Sequence, residues 1–262
     1  MGHQYLGAIP TSKKWTAVVD EVVGGSGLLP EDLKGIAAHT LEAAETALAK
    51  GVNDAGLRQT FFLLTQIVLA AQQPDWREKL SQNGIDLGPN ASVFELTSQL
   101  QFAVDNYLLR YGQPTDVSEI AQQAAGEALA ALASEHSISL FEGSAGQLQQ
   151  AVQSLSSRQG FARFGQVFFG RFLTRFLNFY LSRVTADEVG GERLPTIRHI
   201  TEFNESLQRH CEESAVIVRQ FCGDWYSKTE RIEGIDPDNA GRFMAIALRK
   251  LRRELEMQGG RA

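Results

Sequence analysis

The chain has 262 residues, enough for one large domain or two small ones around a real core. Hydrophobic residues make up 43% and charged residues 21%, and seven prolines are too few for a disordered or low-complexity chain. A net charge of −6 argues against a general nucleic-acid coat protein, so nucleic acid is disfavoured as a partner.

The opening Met1-Gly2-His3-Gln4-Tyr5-Leu6 lacks the apolar core of a signal peptide, and Leu6 stands where a myristoylation signal wants Ser or Thr. Residues 12–23 suit either strand or helix, because Val18-Val19 and Val22-Val23 are β-branched pairs. Gly24-Gly25-Ser26-Gly27 lacks the Gly-Lys-Ser/Thr ending of a phosphate loop. Apolar periodicity then predicts helices at 31–49, 54–72, 91–111, 116–135 and 144–157, with a short one near 75–83. Three more follow at 161–183, 196–228 and 237–257. Asp116, with Glu119 three residues on, is placed to open a capping box, and Asp236 precedes an N1 proline, Pro237. No hairpin signal occurs. The expected fold is all-α, a bundle of about eight to ten helices, built as one domain or as two packed halves, 1–142 and 143–262.

Charge is unevenly spread. Residues 1–142 hold 8 Lys/Arg and 17 Asp/Glu, whereas 143–186 hold five arginines and no acid. Within that basic stretch, 161–183 carries seven of the 15 phenylalanines. Phe161, Phe164, Phe168, Phe172, Phe176 and Phe179 form one stripe at helical spacing, and Phe169, Leu173, Leu177, Tyr180 and Leu181 cover most of the rest. Such a helix belongs in a core, with Arg171 and Arg175 paired to acids from elsewhere, or at a partner interface where Arg and aromatics concentrate. Two mid-helix arginines at about 2.5–3.5 kcal/mol each offset the apolar gain, so no transmembrane span is expected. Peripheral membrane contact through this helix stays open as an alternative function.

The stretch 196–228 places His199 and Glu202 three apart and His210 and Glu213 three apart, eleven residues on, along one helix edge. Inward-facing His and Glu on facing helices can hold metals, and these four are the weak metal candidates. No partner helix with a matching set stands out. Cys211 and Cys222, read on the same helix about 16 Å apart, are beyond disulfide reach and fit small core residues in a reducing cytoplasm. Arg193 and His199, separated by Leu194-Pro195-Thr196-Ile197-Arg198, have the spacing that helical ribonucleases of the HEPN type use at a helix start. The chain resembles those enzymes in class only. Pro195 falls inside the motif and Leu194 stands where a small polar residue belongs.

The last helix repeats Met244, Leu248, Leu251 and Leu255 on one side and carries Arg249, Lys250, Arg252 and Arg253 on another. No dinucleotide fingerprint, nucleophile elbow, metalloprotease helix, paired Cys-x-x-Cys or calcium loop is present, so no cofactor is expected. The sequence reads best as a cytoplasmic, non-enzymatic binding protein, an accessory subunit that engages another protein or itself. Its partner-binding candidates are Arg249, Lys250, Arg252, Arg253, Arg171 and Arg175. The alternatives are a HEPN-like ribonuclease or toxin acting through Arg193 and His199, and a membrane-acting effector.

Overall fold

The apolar periods of the sequence fold as helices in the computed structural model, which describes residues 13–23, 30–44, 48, 51–136, 139–141, 144–187, 190, 196–232 and 234–259. The architecture is all-α, 83% helical, with no strand among the described residues. In chain order the helices are α1 (Lys13–Val23), α2 (Pro30–Ala43), α3 (Ala55–Ala71), α4 (Trp76–Ser81), α5 (Val93–Tyr111) and α6 (Asp116–Glu135). Then come α7 (Ala145–Ser154), α8 (Arg158–Asp187), α9 (Ile197–Ser214), α10 (Val216–Ile232) and α11 (Pro237–Gly259). The first six residues, the Gly24–Gly27 run and Arg193 lie outside the described residues.

Local chemistry explains where the helices begin. The ambiguous segment becomes α1 because Trp15, Val18 and Val22, at helical spacing, are all buried. Asp54 opens α3 by accepting from Leu57 N at 2.7 Å, and Ser92 opens α5 by accepting from Glu95 N at 3.1 Å. At α6 the cap is Thr115 rather than Asp116. Thr115 Oγ1 accepts from Ser118 N at 3.0 Å while Ser118 Oγ accepts from Thr115 N at 2.9 Å. That leaves the Asp116 carboxylate in the first turn, where the helix dipole favours it. Asp236 and Asn239 cap α11 reciprocally, at 2.7 and 3.1 Å.

The expected single helix over 196–228 is two helices, broken at Ala215. At the junction Ser214 Oγ donates to His210 O at 2.8 Å and Val218 N to Ala215 O at 2.9 Å, a tight three-residue turn between the two helices. Cys211 and Cys222 therefore sit on successive helices, both buried and both free.

The thirty-residue α8 runs through the middle, against α6 on one side and α9 and α10 on another. Phe161, Phe164, Phe168, Phe169, Phe172 and Phe176 are all buried. Burial stabilises by about 1.5–3 kcal/mol per such side chain, so these six are a large part of the core energy. Phe61 of α3 ties the bundle together: its ring lies 5.3 Å from Phe243, 5.7 Å from Phe169 and Trp225, and 5.8 Å from Phe168. Close approach of α10 to α8 depends on Gly223, where a Cβ would collide with the Arg158 carbonyl oxygen. Buried side chains from both sides of residue 142 belong to one cluster reaching from Trp15 to Leu255.

Candidate functional site

Helix α11 has a buried face and an exposed one. Ala240, Phe243, Met244, Ala247, Leu248, Leu251 and Leu255 are buried, towards α2, α3 and α10. On the opposite side Arg242, Ile246, Arg249, Lys250, Arg253 and Met257 are exposed, all within an arc of about 100° at 3.6 residues per turn. Lys250 Nζ stands 4.9 Å above the centroid of the Phe221 ring, which orients its stem along α10. Arg252 is half-buried and donates to Glu256 at 2.7 Å, so it belongs to the flank of the stripe. Among the described residues no acid forms an ion pair with Arg242, Arg249, Lys250 or Arg253. The result is a solvated basic stripe interrupted by two exposed apolar side chains.

Arg171 and Arg175, offered by sequence for partner contact, are turned onto their own chain. Arg175 donates from Nε to Glu127 Oε1 at 3.0 Å and from Nη1 to Gln123 Oε1 at 2.5 Å, with Nη2 also on Glu127. Arg171 Nη2 lies 3.3 Å from Glu212 Oε1 and its Nε 3.9 Å from Glu127 Oε2. Most side chains of α8 from Phe161 to Leu181 are buried, the core arrangement that the sequence favoured; the membrane-contact alternative needs this helix at the surface. No described helix is long and apolar enough to cross a membrane.

The four weak metal candidates do not converge. His199 is exposed and hydrogen-bonded through Nδ1 to Thr196 Oγ1 at 2.8 Å, and Glu202 takes Arg198 at 2.8 Å. His210 is buried while Glu213 is exposed. Among the described residues no group of three or more His, Cys, Asp or Glu could hold a metal ion. Burial holds His210 below its ordinary 6.5, opposed by Glu213 and reinforced by Lys34, and its Nε2 has no hydrogen-bond partner among the described residues. Burial likewise raises the Cys211 thiol to about 12 and pushes Cys222 up further, so neither is a nucleophile at neutral pH.

Two clefts open between the helices. A cleft of about 250 Å³ between α6, α7 and α8 brings His136 Nε2 to 3.1 Å from Ser154 Oγ, beside the Glu135–Arg163 ion pair at 2.9 Å. Ser154 Oγ also lies 2.6 Å from Ala151 O, so the hydroxyl has a backbone acceptor beside the imidazole. A larger cleft of about 470 Å³ is walled by Phe176, Phe179 and Tyr180 and by Asp54 and Asp116. Both Asp54 oxygens are occupied, Oδ1 by Leu57 N and Oδ2 by the Thr115 hydroxyl at 2.6 Å, so that carboxylate is structural. Burial and the nearby Asp116 charge keep Tyr180 protonated.

The feature that sequence reasoning missed is on α5. Phe94, Phe102 and Leu109 point away from the core, opposite the buried Leu96, Leu100 and Val104, and Leu140 and Phe141 extend the patch. The signal was present: α5 has apolar residues on two faces, one more than a helix lying on a core needs. The described residues form a helical bundle with two outward-facing surfaces, the basic stripe of α11 and the exposed apolar side chains of α5. No protein-family model, curated protein or solved structure matches the chain.

Proposed function

We propose that this chain is a non-enzymatic helical binding protein, a cytoplasmic accessory subunit that docks an acidic protein partner on the exposed stripe of α11. One observation carries the reading: Arg242, Arg249, Lys250 and Arg253 share an arc with exposed Ile246 and Met257 and have no acidic partner among the described residues. Arg side chains mixed with apolar contacts are the composition of a protein interface. A phosphate backbone is met by cations and polar donors, so the exposed Ile246 and Met257 on the same arc favour a protein surface.

The experiment is purification of the tagged chain from its own host beside the variant Arg249→Glu/Lys250→Glu/Arg253→Glu. A partner retained by the natural sequence and lost by the variant, with helical content and melting temperature unchanged, supports the reading. Equal retention by both, or no partner for either, contradicts it. Arg252 is left in place because reversing it would also break its own bond to Glu256.

A further inference from the structure

The outward face of α5 carries three exposed apolar side chains, Phe94, Phe102 and Leu109, with Ser98, Gln101 and Asp105 between them. Phe94, Ser98, Gln101, Phe102, Asp105 and Leu109 lie within an arc of about 100° on the helix. Phe94 and Leu109, Ser98 and Asp105, and Gln101 and Phe102 are three pairs disposed about one midpoint, between positions 101 and 102. Positions on any helix arc pair in this way; here the chemistry matches as well, apolar Phe94 against Leu109 and the Ser98 hydroxyl against the Asp105 carboxylate, as a two-fold interface requires, because each residue i that meets j must be answered by j meeting i. From this pattern we propose that α5 packs antiparallel against α5 of a second copy of the chain, crossing at that midpoint. A heterologous partner would place no demand for symmetry on this face.

The contacts follow from the register. Each Phe94 lies on Leu109 of the second copy, so apolar pairs close both ends. Each Ser98 hydroxyl faces Asp105 of the second copy and donates to it. Asp105 Oδ1 already accepts from Gln122 Nε2 at 3.1 Å, which fixes the carboxylate before the second copy arrives. The two Phe102 rings meet beside the axis. Residues next to Phe94 add to each end: Phe94 N donates to Leu140 O at 3.0 Å, and the Phe94 and Phe141 rings lie 5.6 Å apart.

Area decides whether such a pair is stable. Phe94 is 59% exposed, Phe102 57%, Leu109 78%, Leu140 38% and Phe141 74%. At roughly 200 Å² per large side chain, this leaves about 600 Å² of apolar surface per copy. That is the upper end of what a monomer shows in one patch, and most of the about 800 Å² per partner of a standard interface. Ser98, Gln101 and Asp105 supply the remainder. The proposal is independent of the α11 stripe.

Sedimentation of the full chain from about 1 to 100 μM tests it. The expected result is a concentration-dependent dimer that becomes monomeric in Phe102→Glu and in Leu109→Glu, with unchanged helical content. Gln101→Cys gives a second readout that leaves the apolar residues intact. Because Cys211 and Cys222 are both fully buried, the added thiol alone is available, and it is expected to give a disulfide-linked dimer under mild oxidation. A chain that stays monomeric across the range overturns the proposal, including one that captures another polypeptide on this face. So does a dimer that survives Phe102→Glu undiminished or fails to cross-link through position 101.

Discussion

Arg175 of α8 and Glu127 of α6 are joined through Nε at 3.0 Å and through Nη2, and the same carboxylate lies 3.9 Å from Arg171 Nε. One acid from the acidic first part of the sequence thus answers two arginines of the acid-free stretch. Glu127→Ala leaves both guanidinium groups half-buried without that acceptor. The expected loss is about 1–2 kcal/mol in urea unfolding, below the figure for a fully buried pair because both groups retain access to water. Retention of the α11 partner is expected to be unaffected.

Gly223 sets the distance between α8 and α10. A Cβ there meets the Arg158 carbonyl oxygen and lies 3.0 Å from the Ala162 Cβ, so Gly223→Ala forces the helices apart. A loss of about 1–3 kcal/mol is expected. Gly146 in α7 has nothing within 4 Å of the same probe position, and Gly146→Ala is expected to be neutral or stabilising by up to about 1 kcal/mol. Thermal melts of the two variants side by side separate crowding from helix propensity.

Native protein is expected to show no thiol reactive towards an aromatic disulfide reagent, and both thiols after unfolding in guanidinium. Cys211 and Cys222 are fully buried, and burial raises both above the range in which thiolate forms. Labelling in the native state then reports global opening of the core.

His210 makes stability pH-dependent. Burial lowers its value in the fold below the ordinary 6.5, so the unfolded chain binds the proton more readily. Its contribution is fully present above about pH 6.5 and is lost as pH falls below that, towards the folded value, at no more than about 1.4 kcal/mol per pH unit. His210→Leu, which also removes a buried unpaired nitrogen, is expected to flatten the melting temperature between pH 7 and 5.

The core was legible in the sequence because periodicity is what burial writes there: the Phe161–Phe176 stripe predicts a central helix, and α8 is that helix. Its arginines were half legible: the sequence allows Arg171 and Arg175 either acids from elsewhere or a partner, and the fold places both beside Glu127. The break at Ala215 was not legible, because neither Gly nor Pro marks it. The cap of α6 fell one residue early because Thr115 and Asp116 are both good N-caps, and only Ser118 bonding back to Thr115 N separates them. The α5 face went unread because Leu96 and Leu100 already satisfy a core-facing period, which leaves Phe102 and Leu109 looking like ordinary filling until the helix is placed. The paired arginines show the limit for sites: sequence cannot say which of two basic helices, α8 or α11, keeps its charge for solvent.

The most direct measurement is binding of the recovered partner to the natural chain and to Arg249→Glu/Lys250→Glu/Arg253→Glu, by titration calorimetry at low and high salt. The account predicts binding that weakens with salt and is lost in the variant while the melting temperature holds. Affinity that is the same for both proteins and indifferent to salt would contradict it.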